Sequence, residues 1–271
     1  MRFKHFSFLL FVLFCSLQYE SQAQWTRNKS FNSYGYRNMI NGDVVQVLRK
    51  KPFSRFGIGL TYAPFSSTFE YQYEDDLGVA DSLTSIDSKG MGYGLALSMS
   101  IPFAAPGLKS LVAFSVGIHV NGYVVEADPL TINVERENYH ATSEYSGGGG
   151  AVLIGVPVGF ELISGGEASL DRADAFSFNV GAGFMPSMAV GGMYDFVGAK
   201  FHAPFYAKAE LGFHLGINWK IRGTYLASSP TSFNNMLSDM DLSFGELKTR
   251  MKNKDQFMIS LIVQPFSFTW D

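Results

Sequence analysis

Large apolar residues recur at every second position in many segments of this chain. The longest run covers residues 205–221, with Phe205 and Trp219 at odd positions and Lys208 at an even one. Successive side chains of a β-strand point to opposite faces, so a period of two predicts strands with two chemically different faces. The run exceeds the roughly 9–11 residues of one tilted membrane-crossing strand. We therefore expect two strands, joined by a tight turn near 215–218.

Alternation predicts eight strands in all, an even number that places both ends of a barrel on one side. They lie near residues 66–75, 91–101, 110–125, 151–163, 175–186, 204–214, 218–227 and 256–269. One stretch resists this count, because large residues stand at even positions in 56–62 and at odd positions in 69–73. The change of parity near Pro64 indicates either a bulge in one long first strand or a separate hairpin. A hairpin would raise the count to ten if part of 25–52 also pairs.

The residues that alternate with the large apolar ones are mostly Gly, Ala, Ser and Asn. A soluble β protein places many charged residues on its water-facing side, whereas only 17% of this chain is charged and 28 of its residues are glycine. Small residues suit the crowded interior of a narrow barrel whose large apolar face meets lipid. We therefore predict an all-β fold over residues 53–271, an antiparallel transmembrane β-barrel. A soluble protein of the lipocalin or jelly-roll kind is the alternative.

The connections between the predicted strands alternate in length. Short ones lie near 102–110 and 164–174, and long polar ones near 75–90, 126–150, 187–203 and 228–255. Outer-membrane barrels show this asymmetry, with the long loops outside the cell. In the last loop, Leu242–Met251 is compatible with a short amphipathic helix whose basic end would face anionic lipopolysaccharide.

The N-terminus has the three parts of a secretory signal peptide. Arg2 and Lys4 precede the apolar stretch 6–17, and Ser21-Gln22-Ala23 supplies a small-x-small cleavage site. The apolar stretch is too short for a transmembrane helix, which needs about 20 residues. We predict that residues 1–23 are a signal peptide cleaved after Ala23. A short membrane anchor and lipidation of a cysteine in the apolar stretch are the alternatives.

The mature chain would contain no cysteine, because Cys15 is the only one, and no disulfide can then form. It would keep 19 basic and 23 acidic residues (21 − 2 and 24 − 1), a net charge of −4. This balance argues against nucleic acid as a partner, since binding to phosphates needs a basic surface. Residues 24–52 lack alternation, and we predict that they form a periplasmic lead-in, with 38–49 compatible with a short helix.

The end of the chain, Phe266–Asp271, carries aromatic residues at alternate positions. It is similar to the C-terminal signal of bacterial outer-membrane proteins that the barrel-assembly machinery reads, although Trp270 stands one position before the end. The signal peptide ending in Ser-Gln-Ala-Gln looks like those of the Bacteroidota. With the strand pattern, residues 24–271 resemble the small outer-membrane β-barrel proteins of that phylum. The resemblance implies fold, outer-membrane location and insertion by that machinery, and it carries over no functional residues.

Charged residues of both signs fall on the small-residue face that we expect to line the barrel interior. The set is Glu161, Lys208, Glu210, Lys220 and Arg222, with the histidines His119 and His214 on the same face. An unpaired buried charge costs several kcal/mol, so these charges should pair. Their near balance favours a salt-bridge network that rigidifies a filled barrel, whereas an ion pathway would show one dominant sign. Inward histidines acting as proton-linked gates are the alternative.

Aromatic residues are frequent in the predicted outer loops, where they would form either a binding surface or a girdle at the lipid headgroups. They are Tyr139, Tyr145, Tyr194, Phe196, Phe201 and Phe233.

The sequence contains no His-Glu-x-x-His, no paired cysteines and no Gly-x-Ser-x-Gly. We therefore predict a non-enzymatic barrel with a filled lumen and no cofactor or metal, acting as a structural or docking component of the cell envelope. Its expected partners are outer-membrane lipid, lipopolysaccharide, the barrel-assembly machinery and an envelope protein complex. A narrow channel or transporter for small solutes or apolar molecules is the main alternative. A lipid A hydrolase and a soluble ligand-binding barrel are two further ones.

Overall fold

The computed structural model describes residues 53–75, 83–107, 110–136, 139–145, 147–168, 176–194, 196–229, 231–234, 236, 245–253 and 256–267. The predicted signal peptide, the lead-in 24–52 and the last four residues lie outside these ranges. Among the described residues, no helix is long and apolar enough to cross a membrane.

The strands in the described part of the chain are β1 (Phe56–Asp75), β2 (Thr84–Gly107), β3 (Ser110–Glu126), β4 (Leu130–Arg136), β5 (Tyr139–Tyr145), β6 (Gly149–Gly155), β7 (Val158–Gly165), β8 (Phe176–Phe184), β9 (Ser187–Met193), β10 (Phe196–His202), β11 (Phe205–Leu215), β12 (Ile217–Leu226), β13 (Phe233–Asn234), β14 (Gly245–Asn253) and β15 (Gln256–Gln264).

Eight antiparallel positions close into a ring, which confirms the predicted all-β barrel of eight strands. We call each position a stave, because some are occupied by one strand and others by two successive strands. Four staves are the single strands β1, β2, β3 and β12. The other four each combine two strands that follow one another along the chain and share a neighbour: β6 with β7, β8 with β9, β10 with β11, and β14 with β15. The ring closes because β1 pairs with β2 on one side and with β14 and β15 on the other. Strands β4 and β5 form a separate hairpin.

The two ends of the barrel differ. We call the end at which β1 begins and β15 finishes the terminal end, and the opposite one the loop end. At the terminal end, β11 and β12 are joined by Gly216 alone, whose φ of 76° lies in the left-handed region that favours glycine. The predicted tight turn near 215–218 is therefore confirmed.

The change of parity near Pro64 has a different cause from either one that the sequence suggested. Strand β1 pairs with β2 in one unbroken register from Phe56 to Tyr71, so it contains neither a separate hairpin nor a bulge against β2. The irregularity lies in the stave on its other side. Tyr62 pairs with Ile259 of β15, and Ser67 pairs with Asn253 of β14. Between these two pairs the chain advances five residues along β1 but six along the neighbouring stave.

Instead, the apolar side chains of β1 move from the outside of the barrel to the inside. Toward the terminal end, Leu60 points outward and is 67% exposed. Toward the loop end, Phe69 points inward and is fully buried, while Glu70 on the outer face pairs with Arg250 and Lys252 of β14. We call the parts of the barrel on either side of this change the terminal half and the loop half. On β1 the outer face is apolar in the terminal half and polar in the loop half. On β3, β6 and β9 the outer face stays apolar beside the buried core, as at Val124 (61% exposed), Val152 (53%) and Val190 (40%).

The interior of the loop half is a packed core, which we call the apolar layer. It is built mainly of aromatic and methionine side chains, including Phe69, Tyr123, Leu153, Met185, Met193, Tyr194, Phe196, Tyr206, Leu226, Phe233, Met251 and Met258. Rings pack edge to face within it, as between Phe69 and Tyr194, whose centroids are 5.1 Å apart. This packing closes the loop half of the barrel.

The apolar layer corrects two predictions about the outer loops. Residues 187–203 are not a loop, since they form the hairpin of β9 and β10. Tyr194, Phe196 and Phe233 are neither a surface nor a girdle, because they are at most 2% exposed within the core. Phe201, at 75% exposure, does lie outside.

A third correction concerns Leu242–Met251, whose sequence is compatible with a short helix. Residues 245–253 form strand β14, because they pair along their whole length with β1.

Prolines explain why three staves are each divided in two. Pro157, Pro186 and Pro204 stand at the breaks between β6 and β7, β8 and β9, and β10 and β11. Their carbonyls accept ladder hydrogen bonds, from Gly117 N to Pro157 (3.0 Å), Val156 N to Pro186 (2.8 Å) and Met185 N to Pro204 (2.9 Å). Since proline has no N–H, none of these pairs can form the return bond.

Candidate functional site

The charged residues predicted to face the lumen lie on three staves of the terminal half. Glu161 belongs to β7, Lys208 and Glu210 to β11, and Lys220 and Arg222 to β12. All five side chains are at most 5% exposed. With Glu167, they form a cluster that we call the charged layer.

A glycine makes the first ion pair of this layer possible. Gly181 of β8 lies between Glu161 and Lys208 in the register of the three strands. A Cβ at this position would stand 2.9 Å from Lys208 Cε and 3.0 Å from Glu161 Cβ. With no side chain between them, Lys208 Nζ approaches Glu161 Oε2 to 2.5 Å and also donates to Ser115 Oγ at 2.8 Å.

Glu210 is the centre of the charged layer. Its Oε1 lies 2.8 Å from Arg222 Nε and 3.2 Å from Lys208 Nζ, and its Oε2 lies 3.2 Å from Lys220 Nζ. Asn179 Nδ2 donates to Oε2 at 3.0 Å. One carboxylate thus joins three cations from two neighbouring staves, and the position Glu210↔Arg222 is set by the β11–β12 register.

Glu167 completes the layer from the turn after β7. Lys220 Nζ donates to Oε1 at 2.7 Å, and Gln264 Nε2 donates to the same oxygen at 3.2 Å. Asn179 Nδ2 donates to Oε2 at 3.0 Å, and Arg55 donates to the backbone carbonyl at 3.0 Å. The turn therefore folds into the terminal end and connects residues of β8, β12 and β15 with the residue before β1.

The two histidines do not join this ion-pair network. His119 of β3 is 2% exposed and faces the interior, but its Nδ1 has no hydrogen-bond partner among the described residues. His214 is half-buried at the terminal end of β11 and lines a small pocket there. The sequence placed both residues on the inward face, and only the structure separates them from the charged layer.

The sequence reasoning missed Glu167, because it lies in a turn where no period of two assigns a face. One signal was available. The five inward charges comprise two carboxylates and three cations, so a buried network lacked one negative charge. Glu167 supplies it. Asn179, which bridges two of the carboxylates, alternates with apolar residues in β8 but carries no charge that would have marked it.

The pocket beside the charged layer opens at the terminal end. It has a volume of about 40 Å³, and its polar lining includes Ser54, Arg55, Glu167, Ser177, His214 and Asn218. A cavity needs about 10–15 Å³ for each water-sized occupant, so it holds about three waters or one small ion.

The ion pairs of the charged layer join staves of the barrel. Each in-barrel cation lies within 3.2 Å of a carboxylate oxygen, and the ion pairs tie neighbouring staves together. Among the described residues, no group of three His, Cys, Asp or Glu side chains is placed to hold a metal ion. The layer also contains no cysteine, and Ser115 Oγ accepts a hydrogen bond from Lys208, which is itself paired with Glu161.

No protein-family model matches the chain, and no curated protein sequence is significantly similar to it. Several solved outer-membrane proteins are similar in structure. The outer membrane protease OmpT of Escherichia coli matches with a TM-score of 0.39 and 8% identity, over 77% of this chain and 95% of that one. The attachment invasion locus protein Ail of Yersinia pestis matches with 0.30 and 10%, over 76% and 97%. Neisserial surface protein A matches with 0.26 and 8%, over 75% and 96%.

Proposed function

We propose that this chain is a non-enzymatic outer-membrane β-barrel of the Bacteroidota type with a filled lumen, a structural or docking component of a Gram-negative cell envelope. The observation that carries the proposal is the filling of the barrel by two layers of different chemistry. The charged layer occupies the terminal half, and the apolar layer occupies the loop half. Packed side chains occupy the interior of both halves in the described structure.

The outer surface supports a membrane location for the terminal half. Large apolar side chains there are widely exposed, for example Tyr93 at 60%, Phe160 at 60% and Leu95 at 55%. Exposure of so large a continuous apolar surface to water is unfavourable, whereas contact with lipid would stabilise it. The short Gly216 turn then faces the periplasm and the loop end faces outward, as short turns and long loops do in such barrels.

The loop half suits a docking role because its outer face at β1 and β14 is polar and its interior is packed. Lys248, Arg250 and Lys252 stand on the outer face of β14, where they pair with Glu70 and Glu74 of β1. Above a membrane this wall would meet lipopolysaccharide or an envelope protein. The barrel-assembly machinery remains the proposed partner during insertion, and nucleic acid is not a proposed partner.

Three measurements test this function together. Cell fractionation and heat-modifiable gel mobility should place a folded barrel in the outer membrane, and mass spectrometry should find a mature chain beginning at Gln24. Planar bilayers should show no single-channel conductance. Steady conductance that changes in Lys208→Ala would instead favour the narrow-channel alternative. A soluble periplasmic protein whose mobility is unaffected by boiling would overturn the barrel in the membrane.

Co-purification from mildly solubilised membranes tests the docking role. Binding partners that are lost when the β4–β5 hairpin is deleted would support docking through the loop end. Partners retained by that variant but lost after changes in the Gly216 turn would place docking on the periplasmic side.

A further inference from the structure

We propose that the outer face of β6, β9 and β10 in the loop half binds a second copy of this chain, so that two barrels stand side by side in the outer membrane. We call this surface, which includes Val152, Val190, Val197 and Phe201, the β9–β10 face. The second copy as partner rests on the proposed outer-membrane location. Four features of the structure support it: the height of the apolar surface, its level, its lack of charge and its area.

The stave formed by β10 and β11 is apolar on its outside over more than the thickness of a membrane. Burial alternates along it, and the odd-numbered residues from Val197 to Leu215 face outward. All ten are Val, Ala, Phe or Leu. At a rise of about 3.3 Å per residue and a tilt of about 40°, the stretch 197–215 spans about 45 Å, whereas the apolar band of a barrel is about 25 Å tall.

The outer face of β1 is apolar over a much shorter distance. Its outward residues are apolar in 56–64 and polar from Ser66 to Glu70, and the apolar stretch spans about 20 Å by the same measure. A tilt of the whole barrel does not remove this difference, because a tilt that lowers Val197 into lipid moves Leu215 out of it at the other end. The stave of β10 and β11 therefore carries apolar surface that lipid alone does not cover.

The register shows in which direction the ladder of strands climbs. From Phe56, the hydrogen-bonded partners on β2, β3, β7 and β8 lead to Phe205 of β11. In the opposite direction, the partners of Leu60 lead through β15 and β12 to Leu211, which lies farther from the loop end than Phe205 does. Because Leu60 is itself nearer the loop end than Phe56, the first direction climbs toward the loop end.

The same climbing direction places the upper part of β10 above the level at which β1 becomes polar. From Pro64, the successive partners are Met91, Val124, Gly150, Gly192 and Val197. Each step rises by about 3 Å in a tilted barrel, so Val197 lies about 15 Å nearer the loop end than Pro64. The β9–β10 face thus continues above the lipid that surrounds β1, where only another apolar surface would stabilise it.

The β9–β10 face carries no charge, so two copies of it can meet without repulsion. Among the described residues of β6 and of β8–β11, no outward position is Asp, Glu, Lys or Arg. The outer wall of β1 and β14 differs, because Glu70, Arg250 and Lys252 stand there. A twofold contact places the same patch of both copies together, and an uncharged patch meets this condition. A partner recognised through charge would select the other wall.

The exposed area is sufficient for a stable pair. The large side chains of the face are 40–75% exposed, namely Val152, Ile154, Met188, Val190, Val197 and Phe201. Phe184 and Phe205 continue the face toward the membrane as an edge-to-face pair with centroids 5.9 Å apart. Together these eight side chains expose roughly 800 Å², which is about the area that each partner buries in a standard protein–protein interface.

Cross-linking of single cysteines in isolated outer membranes tests the second copy. Cys15 is the only cysteine and lies in the predicted signal peptide, so the mature chain offers no competing thiol. Ala199→Cys places a thiol on the β9–β10 face, and Ser66→Cys is the matched control at an exposed position of β1. With a short bis-maleimide, Ala199→Cys should give a band at twice the mass of the chain, and Ser66→Cys should not.

A charge within the face should separate the two copies. Phe201→Glu added to Ala199→Cys should lower the cross-linking yield by about tenfold or more, because an unpaired carboxylate would be buried. Thr68→Glu on the outer wall of β1 should leave the yield unchanged. Native mass spectrometry of the detergent-solubilised Ala199→Cys protein without cross-linker should find the mass of two chains. Gel mobility with and without boiling shows which variants are folded, and Phe201→Ser replaces Phe201→Glu if the latter is not.

Several results would overturn the second copy. They are a folded Ala199→Cys barrel in the outer membrane without a band at twice the mass, equal yields at positions 199 and 66, and a cross-link to a different protein. An unchanged yield in a folded Phe201 variant would overturn it as well. None of these results concerns the membrane location, which fails only if the protein is soluble and its gel mobility is unaffected by boiling.

Discussion

Replacement of Glu210 by glutamine tests whether the charged layer holds the barrel together. Glu210 contacts Lys208, Lys220 and Arg222 within 3.2 Å and is 2% exposed. Glutamine keeps the size of the side chain but removes its charge and turns an NH₂ group toward one of the cations. Three buried cations would then share Glu161 and Glu167. Removal of one partner from a buried ion pair costs about 3–5 kcal/mol, and we expect the free energy of unfolding to fall by that amount.

The matched control is Glu70→Gln on the outer wall of the loop half. Glu70 also contacts two cations, Arg250 and Lys252, but their side chains are 43% and 50% exposed. Water replaces lost partners at such a site, and exposed ion pairs contribute about 0–1 kcal/mol. The two variants remove the same group from a similar number of cations, so their difference isolates the effect of burial.

The assay is denaturant unfolding of the barrel in lipid vesicles, followed by tryptophan fluorescence and by gel mobility. A second variant, Glu210→Gln with Arg222→Gln, restores the balance of charge and should be less destabilised than the two single changes added together, by about 0.5–3 kcal/mol. The reasoning fails if Glu210→Gln costs less than about 1 kcal/mol, as expected of an exposed pair, or if the double variant is simply additive.

Three further predictions use the same unfolding assay. Phe69→Ala should lower the free energy of unfolding by about 3–5 kcal/mol, because it opens a cavity in the apolar layer. Leu60→Ala on the lipid face leaves no cavity and should cost much less. Equal losses of stability would contradict the exchange of faces along β1. Gly181→Val should destabilise the barrel by about 1–3 kcal/mol through overpacking of the Lys208–Glu161 ion pair, and an unchanged stability would show that the lysine has room to move. The hydrogen bond from Lys252 lowers the pKa of Glu70, and partial burial opposes this shift. The small stabilisation from the Glu70 carboxylate is therefore present above the usual carboxyl pKa and is lost as the pH falls through the pKa of Glu70 in the folded protein. A stability difference between wild type and Glu70→Gln that persists in strong acid would contradict this.

Much of the fold could be predicted because lipid on one side and a narrow lumen on the other impose a period of two on the sequence. The turn at Gly216 was predictable, since the alternation in 205–221 continues for longer than one membrane-crossing strand. The loops were predicted less well. Residues 187–203 alternate small with large side chains as strands do, but their glycine content and polarity favoured a loop, and only pairing with β6 shows the strand.

The site was predictable to the extent that its residues lie on strands. Parity assigned Glu161, Lys208 and Glu210 to the interior, and the structure brings them together. Parity says nothing about distance along the barrel axis, so His119 and His214 could not be separated from the network. Nor does it assign a face to a turn, which is why Glu167 could be found only by counting charges.

The exchange of faces along β1 follows from a single physical cause. Where lipid surrounds a barrel, the outer positions must be apolar, and the inner positions are left to small and charged residues. Where water surrounds it, the outer positions become polar, and the interior must supply the hydrophobic core. The parity of large residues therefore changes where the strand leaves the membrane, without any change in the register of β1 against β2. On β1 the change occurs near Pro64, between Leu60 facing outward and Phe69 facing inward, as expected where this strand leaves the membrane.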